Sequence, residues 1–251
     1  MPDAQPWSYA TAPPKPHVHP LRAPDGVVLT RDETPDHPWQ RGLWFAVKFV
    51  NGENFWEELD PFGVQRPGSA DVVEWVRPDG DVVITEHRTL RHVERSDGAY
   101  AIDWTTVLTP RVEVLLDRTP FTTWGGYGGL AFRGAGDWAD TRLLLDDGVE
   151  TDAVIGTPSR WCDLSSRERG VTFLDHPDNP RHPVPWYGNV RNPLYFTDEW
   201  TNFVNAAFLF HEPLTIPARE SFTFRYRVIV HAGSGDVASI DRAWGSWAAT
   251  P

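Results

Sequence analysis

The residues with the clearest chemical promise lie in the stretch TPDHPWQRGLWF, Thr34 to Phe45. Asp36 and His37 stand side by side between Pro35 and Pro38, and Trp39, Gln40 and Arg41 follow before the chain turns apolar. An imidazole takes or gives a proton near neutral pH, and a carboxylate beside it can orient the ring. A proline disfavours helix in the residue before it, so Thr34 and His37 belong in extended or turn geometry. The expectation is a stiff loop at a strand end that offers polar groups to a ligand. The plainer alternative has His37 capping a turn and Arg41 pairing with Asp36 at the surface.

Further candidates are scattered along the chain. His17 and His19 are two residues apart, so an extended segment puts both on one face. With His37 or His87 they could ligate a divalent metal, although nothing in the pattern requires a metal or other cofactor. Glu86 falls in the run Val82 to Leu90, where partial burial would raise its pKa towards an acid–base role; the alternative is an ion pair with Arg88. The run WGGYGGL, Trp124 to Leu130, closes on Arg133. Its glycines allow a backbone to approach a ligand or two strands to cross tightly, and it lacks the Lys-Ser/Thr ending of a phosphate loop. A third group, Pro158 to Tyr187, gathers Arg160, Trp161, Asp163, His176 and Trp186 around prolines that argue for a long functional loop or a lid.

These groups share a chemical character. Flat Trp and Tyr rings stack on the C–H faces of sugars, and planar polar groups read hydroxyls. The expected ligand is a small-molecule carbohydrate. In an enzyme, His37 would be the acid/base oriented by Asp36, and His19 or Glu86 would supply the second proton-transfer group. Arg22 and Arg133 would hold an oxyanion, while Arg41, Trp39, Trp124, Tyr127, Arg160, Trp161, Asp163, His176 and Trp186 would contact substrate. The reactions that suit such a set are epimerisation, mutarotation, elimination or hydration of a sugar or keto-sugar. A non-catalytic carbohydrate-binding protein would need the aromatics and the polar rim alone.

The elements that must position these residues read as strands. The 251 residues include 13 Trp, 23 Pro and 20 Gly, a composition of many turns and few helices. Strand-like runs cover Gly26 to Arg31, Leu43 to Val50, Val72 to Val76, Val82 to Leu90, Tyr100 to Leu108 and Thr201 to Phe210. Asn51-Gly52 and Pro78-Asp79-Gly80 supply turns. In Phe222 to His231 the residues Phe222, Phe224, Tyr226, Val228 and Val230 share one face, and Thr223, Arg225, Arg227 and His231 share the other. That second face is either solvated or a polar groove. One helix is expected over Asp236 to Trp247, with helix below about a fifth of the chain. The fold class is all-β, a single antiparallel sandwich or barrel over residues 15–251 behind a Pro-rich arm over 1–14.

Charge and cysteine content exclude other classes. The net charge of −12, without a block of Lys or Arg, argues against nucleic acid and anionic membrane. Cys162 is the single cysteine, so no internal disulfide forms. The first residues lack the apolar segment of a signal peptide, and no run approaches the roughly 20 apolar residues of a membrane helix. The expectation is a soluble cytoplasmic protein.

HPLRAPDG, DHPWQRGLWF, GGYGGLAFR, RWCDLS and DHPDNPRHPVPW, in that order, resemble a bacterial family of unknown function often labelled "methane oxygenase PmoA-like". The resemblance spans roughly residues 15 to 232. It implies a β-sandwich similar to galactose mutarotases and the company of sugar-catabolic enzymes. An oxygenase of the membrane type is incompatible with a chain lacking a membrane segment. In the family a second His often stands where this chain has Gln40, and Gln cannot transfer protons. The resemblance places the Asp36–His37 loop at the rim of the sandwich, near the His19–Arg22 turn.

Overall fold

The structure, a computed structural model, describes residues 5–69, 71–95, 98–119, 126–192, 194 and 199–250. Three antiparallel sheets account for its strands. The first has seven strands in the spatial order β1 (Trp7–Ala10), β2 (His17–Leu21), β3 (Leu43–Val47), β11 (Gly128–Arg133), β18 (Phe203–Ala206), β17 (Pro185–Asn189) and β14 (Ala153–Pro158). The second has nine: β13 (Glu150–Thr151), β12 (Arg142–Leu145), β15 (Trp161–Ser165), β16 (Arg169–Asp175), β20 (Phe222–Ala232), β9 (Tyr100–Pro110), β8 (Val82–Glu94), β7 (Val72–Val76) and β6 (Val64–Pro67). A small third sheet joins β19 (Leu214–Ile216), β10 (Val114–Asp117), β4 (Phe49–Val50) and β5 (Glu53–Asn54).

The two large sheets stack face to face. Leu43, Phe45, Val47, Leu130, Phe132 and Val204 of the seven-stranded sheet meet Ile102, Trp104, Phe173, Phe224, Tyr226 and Val228 of the nine-stranded one in a single core. Period-2 alternation dictates this in β20, where Phe224, Tyr226, Val228 and Val230 are all buried on the core side. The far side of β20 keeps a polar groove at Arg225 and Arg227, beside Asp103 and Trp247, and is otherwise covered. Helix α1 (Val237–Ala248) lies over it, and Ile240 and Trp247 pack on Ala101, Leu144, Trp161, Leu174 and Ile229. Asp236 caps that helix by accepting from the Ser239 N–H.

The antiparallel sandwich expected from the sequence is therefore present, and α1, of 12 residues, is its one helix among the described residues. No helix of the described residues is long and apolar enough to cross a membrane. Residues 26–31 form isolated bridges at Val28 and Thr30 rather than a strand, because the segment crosses the end of β11 instead of running along a partner. Part of the expected arm is structured: β1 pairs with β2, and Trp7 is buried with its indole N–H donating to His92.

Candidate functional site

Register decides which side chains share the outer face of the seven-stranded sheet, since directly paired residues project the same way. One row runs His17, Trp44, Ala131, Asn205, Tyr187. The next runs Arg133, Phe203, Asn189. Their neighbours in sequence, Leu43, Phe132 and Val204, face the core.

The loop from Glu33 to Arg41 folds over these rows. The Thr34 hydroxyl donates to the His37 carbonyl and accepts from the His37 N–H, and the Gln40 N–H closes the turn onto the same carbonyl. Arg41 ties down the loop end, donating to both Glu58 oxygens at 3.0 and 2.6 Å and to Glu33 at 2.9 Å. Asp36 pairs instead with Arg133, whose Nη2 lies 3.1 Å from each carboxylate oxygen, while its Nη1 donates to Gln40 Oε1 at 2.7 Å. Asp36 also meets His37 Nδ1 at 2.7 Å and shares a side-chain hydrogen bond with Thr34. Burial would raise the Asp36 pKa, but the His37 hydrogen bond and the Arg133 charge outweigh it and hold the carboxyl well below its usual range.

Around this His37–Asp36–Arg133 chain stand aromatic rings. Tyr127, Tyr187 and Phe203 meet edge to face at 5.8–6.1 Å, Trp56 stacks on Tyr127 at 4.9 Å, and Trp39 meets His37 at 5.4 Å. Asn192 and Thr201 complete the rim. Five polar atoms of this face are buried without a hydrogen-bond partner: Trp44 Nε1, Trp56 Nε1, Arg133 Nε, Asn189 Oδ1 and Thr201 Oγ1. Each such atom costs about 1–3 kcal/mol, and their concentration on one face makes it a candidate for a polar ligand. The depression beside His37 holds only about 20 Å³, so it is a shallow face rather than an enclosed chamber.

The structure thus brings together Asp36, His37, Tyr127 and Arg133, with Trp39 at the edge. His19 bonds Thr30 Oγ1 on the same sheet, and burial lowers its pKa, but it does not line the depression. Neither does Arg41. Arg22 is exposed and donates to the Gly26 carbonyl. Glu86 lies in the core, accepting from Trp75, Arg88 and Thr106. Trp161 and His176 pack on α1 or its flank, where the Trp161 indole and Arg160 both reach Asp241. Asp163 is buried nearby with His231, Ser165 and Thr172. Trp186 faces the core, its N–H on the Ser159 carbonyl. Trp124 lies outside the described residues. Gly126 and Gly129 serve strand crossing: a Cβ on either would meet the backbone of Phe210 or Ala206.

Sequence reasoning missed Asn189, Thr201, Phe203 and Trp44. It also discounted Gln40, which here orients Arg133. Among the described residues no group of three or more His, Cys, Asp or Glu is placed to hold a metal ion. His17 pairs with Asp32 at 3.5 Å, and the exposed His87 with Asp71 at 3.4 Å.

A family model described as "Family of unknown function (DUF6807)" matches residues 3–245 and carries no oxygenase name. No curated protein matches. Among solved structures the chain is similar to a galactose mutarotase related enzyme from Lactobacillus acidophilus, at 8% identity and a TM-score of 0.44, covering 92% of this chain and 99% of that one. It is also similar to a polysaccharide lyase, at 11% identity and a TM-score of 0.38, covering 94% of this chain. The match spans 34% of the lyase.

Proposed function

The chain belongs to the family of unknown function DUF6807, and we propose that it acts on a sugar or keto-sugar by acid–base proton transfer at His37. The observation that carries this reading is the linked set His37–Asp36–Arg133 inside a ring of aromatics with unpartnered donors and acceptors. Hydroxyls both donate and accept, so a polyhydroxylated ligand suits the Arg133, Asn189 and Thr201 side chains that line the depression. The Asp36 carboxylate compensates the Arg133 charge, which favours a neutral ligand over an anion.

With Nδ1 engaged by Asp36, proton exchange with the substrate falls to His37 Nε2. Removing the proton next to a ketone forms an enolate, whose oxygen the Arg133 guanidinium would stabilise. Return of a proton from His37 to the same face restores the substrate with its α-hydrogen exchanged; departure of the neighbouring oxygen, protonated by His37 as it leaves, gives elimination. Among the described residues His37 is the one histidine on the rim, and neither His19 nor Glu86 joins it, so one-base chemistry suits the site better than a two-base epimerase. The test is incubation with keto-sugars in heavy water, following the α-proton by NMR. Exchange lost in His37→Gln supports the reading, and sugar binding without exchange by any keto-sugar replaces it with the second reading.

That second reading is a non-catalytic carbohydrate-binding protein. The same absence of a second proton-transfer group favours it, since binding needs the aromatic and polar rim alone.

A further inference from the structure

A cleft of about 790 Å³ lies beside the site rather than in it. It opens between the loop after β11 and the β15–β16 turn, lined by Trp138, Asp140, Thr141, Ser166, Glu168 and Trp200. Trp200 and Thr201 are consecutive, and Trp200 walls the cleft while Thr201 lines the depression beside His37. The partition between the two spaces is therefore about one residue thick.

That partition is firmly held. Asn202 is fully buried, donates to the carbonyls of Ala135 and Trp138, and accepts from Thr141. The Trp138 indole reaches Ser166 in the opposite sheet at 3.3 Å, and Arg191 lies 4.7 Å over the Trp200 ring. A cleft fixed in this way needs little ordering to receive a ligand, and its volume falls in the roughly 300–1,000 Å³ range of small-molecule sites. Its floor is polar and its wall carries an indole. The formal charges lean acidic: Asp137, Asp140 and Glu168 against Arg167 and Arg169, with Arg169 already paired to Asp25 and Glu168. An indole with carboxylates and hydroxyls suits an uncharged glycosyl unit and repels a uronate.

We propose that this cleft is a second sugar subsite, so that the substrate is a glycoside of at least two units whose distal unit lies between Trp200 and the 166–169 turn. The proposal rests on the carbohydrate reading of the His37 face. It is tested by calorimetric titration with glucose, cellobiose and cellotriose and with N-acetylglucosamine, chitobiose and chitotriose. The expected result is that in at least one series the longer sugars bind at least tenfold tighter than the monosaccharide. Trp200→Ala should abolish that gain and leave monosaccharide affinity unchanged. Asp140→Asn, at an exposed position whose left-handed backbone Asn also adopts, should reduce the gain and serves if Trp200→Ala fails to fold. Equal affinity for monosaccharide and longer sugars, or a length gain untouched by both variants, overturns the subsite and leaves the His37 reading standing. No binding of any sugar overturns both.

Discussion

Asp36 and Arg133 meet in a forked pair, two contacts of 3.1 Å, across 97 residues of chain. Both side chains are almost wholly buried, at 4% and 1% exposure. One carboxylate thus holds a loop to a sheet, compensates a buried guanidinium and orients an imidazole. Asp36→Asn removes the charge while keeping the shape. It should destabilise the fold by about 3–5 kcal/mol at pH 7, because Arg133 is left buried and unpaired. The sign with pH follows from the depressed pKa of Asp36 in the fold. Its stabilisation is fully present above the unfolded value of about 3.9 and fades as pH falls towards the lower folded value. Urea unfolding of both proteins from pH 7 to pH 3 should show the gap narrowing below about pH 4.

Lys15 titrates in the opposite sense. Its ammonium is buried against the carbonyls of Trp39 and Trp56, with Glu58 at 3.6 Å. Burial pushes its pKa down to about 7, and the Glu58 charge offsets this only in part. Between about pH 7 and the unfolded value near 10.4, the unfolded chain binds more protons than the folded one, so stability should rise with pH, by at most about 1.4 kcal/mol per unit. Lys48, pushed down to about 8 by burial, adds to the rise above that pH. Lys15→Met should delay the rise from about pH 7 to about pH 8, read by chemical denaturation across that range. An unchanged onset would show that Lys15 stays charged in the fold.

The sandwich was legible in the sequence because alternation is a strong signal in long strands such as β20, and α1 was legible from its Asp236 cap. The candidate site was legible where loop chemistry marked it, at Asp36, His37 and Trp39, and where the glycine-rich run pointed to Tyr127 and Arg133. Inside strands, composition cannot tell which of two neighbours faces the ligand. Trp186 and Tyr187 are adjacent in β17, and the indole fills the core while the phenol joins the rim. Phe132 and Arg133 divide in the same way. The Arg160–His176 group carries the right side chains for a site, but α1 covers it, and no local signal in that stretch announces a helix that arrives some sixty residues later.

Gly129 should tolerate no side chain. Its φ is +104°, and a Cβ there would sit 2.3 Å from the Ala206 carbonyl oxygen. Gly129→Ala therefore costs at least about 1–3 kcal/mol in backbone strain before the clash is relieved. For a domain of this size that lowers the thermal midpoint by roughly 2–4 °C per kcal/mol. β11 also carries Arg133, so the variant should weaken sugar binding as well. Calorimetry and titration on the same preparation check both, and a midpoint within 1 °C of wild type, about the scatter of the measurement against the shift expected, would mean that β11 and β18 can part without loss.

Glu86 and His37 separate stability from chemistry. Glu86 is wholly buried and accepts from Trp75 at 2.7 Å, Arg88 at 2.6 and 2.9 Å and Thr106 at 3.0 Å. Glu86→Gln strands the Arg88 charge in the core, at a cost of about 3–5 kcal/mol, yet proton exchange per folded molecule should match wild type. His37→Gln removes the imidazole from a partly exposed loop. Its stability should change by about 1 kcal/mol, the net worth of a hydrogen bond, while α-proton exchange falls roughly 10²–10⁴-fold, the usual value of a positioned acid or base. Denaturation curves and NMR exchange rates, normalised to folded protein, give both quantities for each variant. Exchange surviving in His37→Gln and lost from folded Glu86→Gln would move the proton-transfer role from the outer face into the core network.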